Sequence, residues 1–420
     1  MISLPYNKRP YDVFISYSHS ERDFVQNLVK WLKDISGLNI WCDFNQLKSG
    51  DKLSSALPQG ISNSRASLFC VSNSWIQSTW CEDEFNAALQ ERRANRRYRI
   101  IALKIEDCEI PRFLSNARYF EVQTLDENTA CLLLESLNPG SSTWSHGKRD
   151  VYISRSWHDS DLETADILCK ALSDNYAFRL IGDSPDYAAF EENDRIKGLI
   201  ESCGALIAIL PYRNSSKYGF TSKWILKEIQ IAKELKIPFM LFGADKVKVD
   251  PSILDYSIGQ EIYQLPSSSN DALINNALFL FEEEYVPSPK QAYSFFATSL
   301  RNDSYDANRS IALIEQMTNM KCQMGLRLQG QHAQKEIVEL IRNAQFVLAD
   351  ITSNNLNSII EAGIARGAGT NLHLISKIPD SGDLRTRFMF RDLEINWYKD
   401  SVERIGVIHR IVRMYRRRVY

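Results

Sequence analysis

An aromatic ring and a carboxylate one helical turn apart occur twice in this chain of 420 residues, as Ser78, Trp80 and Glu84 and again as Ser222, Trp224 and Glu228. Each set follows an apolar run, SLFCVS at 67–72 or ALIAILP at 205–211, and opens a stretch with helical periodicity. Residues at i and i+4 share a helix face, so Trp80 and Glu84 are expected to point together into the crevice at the carboxyl ends of a parallel sheet's strands, where doubly wound sheets bind ligands. A flat ring beside one carboxylate suits a ribosyl ligand, the ring stacking on a base or nicotinamide and the acid holding the ribose diol. Ordinary glycosidases need two carboxylates, because a neutral leaving oxygen must be protonated while the oxocarbenium ion is stabilised. Nicotinamide on ribose is already cationic and leaves neutral, so one carboxylate against the developing positive charge suffices. The plainer reading of Glu82, Asp83 and Glu84 is a set of first-turn acids complementing the helix dipole.

The elements around these residues also repeat. DVFISYSHSERDF begins at Asp12 and DVYISRSWHDSDL at Asp150, which marks an internal repeat. VFISY reads as a strand, ERDFVQNLVKWLKDI as a helix with Phe24, Leu28, Trp31 and Leu32 on one stripe, LNIWCD as a strand and FNQLKSGDK as a polar loop. Strands separated by helices of about 10–15 residues predict a parallel sheet covered on both faces. The pattern restarts at Asp150 and again near Ala292, after polar linkers at 138–148 and 286–291. The expected architecture is α/β: three flavodoxin- or Rossmann-like units at 10–137, 149–285 and 292–420.

The blocks DVFISYSHSERDF, IWCDFNQLKSGD and ASLFCVSNSWIQSTWCEDEF, in that order, resemble the Toll/interleukin-1 receptor (TIR) domain, in its bacterial branch of NAD glycohydrolases. The likeness covers roughly residues 10–135. It implies a flavodoxin-like fold and cleavage of NAD+ at the nicotinamide–ribose bond, with Glu84 essential and Trp80 lining the pocket. It also implies substrate contacts from Ser16, Tyr17 and Ser18 at the tip of the first strand and from Asp43, Lys48 and Gly50, in a loop with Leu47 that completes the pocket when it meets a neighbouring copy. NAD+ is then a substrate, no cofactor or metal is needed, and activity depends on a homo-oligomer built through TIR–TIR contacts, in a bacterial anti-phage role. The chain has Ser18 and His19 where active enzymes of this group often carry basic residues. The second unit keeps Trp224 and Glu228 without the glycine-containing loop, and is expected to be a diverged, structural copy, with Trp224 in the core and Glu228 in solvent as the plain alternative.

The third unit carries FVLADITSNNLNSIIEAGIARGAG, similar to the nucleoside 2-deoxyribosyltransferase group through Asp350, Asn357, Glu361 and Gly363. That likeness implies a nucleotide site, with a nucleotide second messenger as its ligand. Gly363, Gly367 and Gly369 offer a phosphate cradle, or equally tight packing and a helix end. Arginines at 404, 410, 413, 416, 417 and 418 read as a basic final helix able to meet phosphate-rich partners, though no aromatic platform for nucleic acid accompanies them. Net charge is −2, with 44% hydrophobic residues, so no global field draws the chain to nucleic acid or membrane. No apolar run approaches the roughly 18 residues of a membrane span. The N-terminus has no export signal, and eight cysteines without CxxC pairs fit buried thiols in a reducing cytoplasm. Two rivals to the NAD-cleaving reading stay open: a TIR-like scaffold that signals without turnover, and a nucleoside or nucleotide glycosylase working through Glu361.

Overall fold

Val13 and Ile15 turn to one side of the first strand while Phe14 and Ser16 turn to the other, and all four are buried. That is the period of two of a strand covered on both faces. The computed structural model describes residues 9–46, 53–95, 98–111, 114, 118–122, 124–137, 149–156, 159–175, 178–182, 192–214, 221–265, 277–282, 292–298, 304–325, 333–352, 356–379 and 388–419. Lys48, Gly50 and both expected linkers lie outside the described residues.

Three sheets form. The first comprises β1 (Tyr11–Ser16), β2 (Ile40–Trp41), β3 (Ser64–Val71), β4 (Arg99–Lys104) and β5 (Arg118–Glu121). The second comprises β6 (Arg149–Ser154), β7 (Phe178–Gly182), β8 (Leu206–Leu210), β9 (Phe239–Gly243) and β10 (Ile262–Gln264). The third comprises β11 (Tyr293–Ala297), β12 (Lys321–Gln323), β13 (Val347–Asp350), β14 (Leu372–Lys377) and β15 (Ile395–Tyr398). All three run second–first–third–fourth–fifth with parallel pairing. The order reverses between first and third strands, so each sheet opens a crevice at those carboxyl ends. β16 (Arg418–Val419) extends the second sheet by pairing antiparallel with β7.

Helices cover both faces of each sheet. The first sheet carries α1 (Arg22–Lys30), which runs into a π-helical turn at Trp31–Ile35, then α2 (Asp43–Gln46), α3 (Leu53–Ser62), α4 (Asn73–Ile76), α5 (Thr79–Ala94) and α6 (Glu127–Leu137). The second carries α7 (Asp159–Asn175), α8 (Glu192–Cys203), α9 (Lys223–Glu234), α10 (Pro251–Leu254) and α11 (277–282). The third carries α12 (Ser304–Thr318), α13 (Ala333–Asn343), α14 (Leu356–Ala368) and α15 (Ser401–Val412). The stretch after β2, expected to be a polar loop, thus begins as the helical turn α2. All eight cysteines are buried free thiols. Among the described residues no helix is long and apolar enough to cross a membrane, and no group of three or more His, Cys, Asp or Glu could hold a metal ion.

The basic final segment departs from its sequence reading. The helix ends at Val412, and Arg413, Arg416 and Arg417 are buried rather than offered to a phosphate-rich partner. Arg413 donates to Asp12 on β1 at 2.9 Å and to the Gly37 carbonyl. Arg417 pairs with Asp150 on β6 at 2.9 Å. Asp12 and Asp150 open the two repeat copies, so residues 413–417 grip the same position twice. α15 meanwhile shares one core with the first unit: Ile405, Ile408 and Ile411 pack among Leu28, Trp31 and Leu134. Trp31 Nε1 donates to the Val402 carbonyl at 3.1 Å, and the π turn that aims it there keeps Ile35 and Ser36 against Gly406. A Cβ on Gly406 would lie 2.7 Å from Ile35 Cγ2. Gly406→Ala is therefore expected to cost about 1–3 kcal/mol by overpacking, read as a lowered urea midpoint.

Candidate active site

The crevice of the first sheet is built by β1, β2 and α5. Ser16 ends β1, and its Oγ accepts from Trp75 Nε1 at 2.9 Å. Trp75 is itself fully buried on α4, whose first turn is capped by Ser72. The Ser16 hydroxyl sits beside Glu84 and favours its ionised form. Glu84 is the sixth residue of α5, past the first turn, where only Glu82 complements the dipole. The capping explanation therefore does not reach it.

Burial pushes the Glu84 carboxyl up to about 7; the Ser16 hydroxyl pulls against that, while the Asp43 and Asp83 carboxylates add to it. Trp80, one turn earlier, is 51% exposed, an aromatic face left to solvent at the crevice mouth. Tyr17 donates to Asp43 Oδ1 at 2.8 Å and packs edge-on to Phe44. Burial, then that bond to Asp43, holds the Tyr17 phenol far above its ordinary range. Asp43 Oδ1 also accepts from the Phe44 amide at 2.6 Å. The structure thus brings Ser16, Tyr17, Asp43 and Glu84 together. Ser18 lies aside, hydrogen-bonded to Ser20 at 3.1 Å.

The second sheet repeats the arrangement in the same register. Glu228 is the sixth residue of α9, and it accepts from Ser154 Oγ and from Tyr152 Oη, the latter at 3.0 Å. Ser154 ends β6 as Ser16 ends β1. Burial raises Glu228 to about 7, against the Ser154 and Tyr152 hydroxyls and the Lys227 charge. Trp224 is 48% exposed. The plain alternative does not hold: the tryptophan is half exposed, and the acid is half-buried and hydrogen-bonded.

In the third sheet Glu361 is again the sixth residue of its helix, α14, and burial alone lifts it to about 7. One carboxylate oxygen lies against Gly325, where a Cβ would come within 2.6 Å. No hydroxyl stands in for Ser16: β11 ends on Ala297, buried on the α14 side. Asp350 ends β13 and accepts from Tyr398 Oη at 2.9 Å and the Thr352 amide at 3.0 Å. Asn357 is exposed one turn before Glu361. Gly363 does not join them. It turns to an open cavity of about 630 Å³ lined by Arg366, Gly367, Met389, Arg391 and Asp392, while Gly369, at φ +74°, ends the helix.

Two contributors escaped the sequence reading. Trp75 was hidden as an ordinary apolar residue after β3. Tyr152 had a legible signal, since it replaces Phe14 between otherwise matching repeat copies.

Residues 13–134 match the family model of the TIR domain. Over 84 residues, 20% of this chain, the sequence is 32% identical to a 2′ cyclic ADP-D-ribose synthase of Bacteroides thetaiotaomicron. Over 85 residues it is 33% identical to a 2′ cyclic ADP-D-ribose synthase of Acinetobacter baumannii, and over 82 residues 29% identical to an NAD(+) hydrolase of Paracoccus denitrificans. The matches span 29%, 31% and 27% of those relatives' own lengths. The chain therefore shares with them a single domain, the one that holds Glu84.

Proposed function

We propose that the first unit cleaves NAD+ at its nicotinamide–ribose bond, with Glu84 as the catalytic carboxylate. The observation that carries this reading is the placement of a half-buried Glu84, beside the Ser16 hydroxyl, in the switch-point crevice, one turn behind the half-exposed Trp80. The names of the TIR relatives support the same chemistry.

In the proposed reaction the C1′–N bond breaks and its electron pair leaves with neutral nicotinamide. Ionised Glu84 faces the oxocarbenium ion so formed. Water adds to C1′ and loses a proton, giving ADP-ribose; a ribose hydroxyl attacking instead gives a cyclic product. Trp80 stacks on the ring that departs or on the adenine, and Asp43 with Tyr17 forms the opposite wall. Assembly of copies through the 43–50 segment would complete the pocket, and a nucleotide held by the third unit would control it, in an anti-phage setting.

The acid must be ionised to work, and its resting value is about 7. kcat/KM is therefore expected to rise about tenfold per pH unit up to pH 7 and to level above it. A flat profile between pH 5.5 and 8 would remove Glu84 from the chemistry.

The deciding experiment incubates concentrated protein with NAD+, beside Glu84→Ala and Glu361→Ala, and follows nicotinamide by chromatography. Release that vanishes only in Glu84→Ala supports the reading. Glu361 occupies the same helix position and has a similarly raised value, which favours a second reading as a glycosylase site; release of free base from a nucleoside, lost only in Glu361→Ala, would support that instead.

A further inference from the structure

We propose that the crevice of the second sheet is a binding site for an anionic ribonucleotide of the ADP-ribose class, distinct from the first crevice and built without turnover in view. The framework is the same. Strand pairing aligns the two copies, Ser16 facing Phe69 and Ser154 facing Ala208, so Ser74 of the first unit corresponds to Arg213 of the second. The shared tryptophan aligns Thr79 with Lys223 and Asp83 with Lys227. Two uncharged or acidic rim positions in the first crevice are thus cationic in the second, and the third carries Arg213, whose charge is balanced by Asp161.

The geometry bears this out as a rim rather than a scatter of surface charge. Lys227 Nζ and Lys223 Nζ lie 5.4 and 5.7 Å from the centre of the half-exposed Trp224 ring. Arg213 is fixed against Asp161 and donates to Ser156 Oγ at 3.2 Å, beside the end of β6. Behind that rim Glu228 is held by Ser154 and Tyr152.

This combination sorts ligands by charge. Two ammonium groups against the tryptophan repel a cationic nicotinamide ring and favour a neutral adenine face with phosphates beside it. Half-buried Glu228, with Ser154 and Tyr152 on its two oxygens, keeps further lone pairs to accept from a ribose diol. ADP-ribose, which lacks the cationic ring and carries one more negative charge than NAD+, fits this rim better than NAD+ does. The ligand class borrows from the reading of Glu84, since both crevices share the Ser–Glu–Trp frame.

The test uses the full chain carrying Glu84→Gln, so that NAD+ persists, and measures ADP-ribose and NAD+ binding by equilibrium dialysis at two salt concentrations. Variants add Lys227→Asp or Trp224→Ala, both exposed positions whose folding is checked by thermal melting. ADP-ribose binding tighter than NAD+ binding, weakened at least tenfold by Lys227→Asp and by higher salt, is the expected result. No ADP-ribose binding, or binding that ignores both variants, overturns the proposal. Nicotinamide release by the parent chain is read separately: its absence alongside Lys227-dependent binding would sink the Glu84 reading and leave this one standing.

Discussion

Glu84→Gln is expected to lower nicotinamide release from NAD+ by about 10²–10³-fold, the loss seen when one preorganised electrostatic group is removed from a transition state. The same change is expected to stabilise the fold at pH 8. Burial holds the carboxyl at about 7 in the folded protein, above the ordinary glutamate value of 4.5. A raised folded value contributes stability that is fully present below the unfolded pKa and is lost as pH rises through the folded one. Between about pH 4.5 and 7, folding therefore forfeits what a neutral Glu84 offers, and at pH 8 it carries the full cost of an enclosed charge. Glutamine removes that cost while keeping the shape and an acceptor beside the Ser16 hydroxyl. With the group only partly enclosed, a gain of about 1–3 kcal/mol is expected at pH 8 and almost none near pH 4. Urea unfolding of both proteins at the two pH values measures it. A variant that loses turnover and also loses stability would indicate a structural acid instead.

Asp12→Asn is expected to be among the most damaging single changes in the chain, at about 3–5 kcal/mol, because it strands buried cations. Asp12 accepts from Arg65 at 2.7 Å, Arg413 at 2.9 Å and the Asn39 amide at 2.8 Å. Burial by itself would raise its pKa, but Arg413 and Arg65 outweigh that and hold it below the ordinary value. Asparagine can keep the Asn39 bond through its one carbonyl oxygen, but it removes the charge and turns an N–H donor toward the Arg65 guanidinium. Arg413→Met leaves Asp12 with Arg65, so its cost should be smaller, about 1–3 kcal/mol. Combining Asp12→Asn with Arg413→Met should recover part of the loss, and a purely additive result in urea unfolding would show that the two groups do not interact.

The first four strands of the first two units, and the matching of Asp12 with Asp150, were legible because apolar runs and repeat copies carry them. Of the crevice, Glu84 was legible from its spacing to Trp80 along one helix, while Ser16 and Asp43 entered only through the family resemblance. The fifth strands were not legible. RYFE, IYQ and INWY are three or four residues long, sit at sheet edges and mix polar with apolar side chains, so no period emerges. The final arginines misled for a different reason: six cations in fifteen residues read as a solvent-facing field, and only tertiary structure reveals carboxylates waiting at β1 and β6. Long-range ion pairs leave no local pattern. The same limit hid Trp75, whose indole meets Ser16 across 59 positions of chain.

The grip of residues 401–417 on the first unit also sets an order of events in time. α15 supplies part of the core on which α1, the π turn and α6 rest, and Arg413 completes the cage around Asp12. A ribosome adding about 5–20 residues per second makes these residues tens of seconds after β1 has emerged. Until then the unit bearing Glu84 stands with one flank uncovered and a buried aspartate half neutralised. Because α15 follows β15 in the chain, the core of the first unit is completed only after the strands β1–β15 of the three sheets have been made. Chains stalled before residue 401 should accordingly show protease-sensitive first units, and those extended past residue 417 should not.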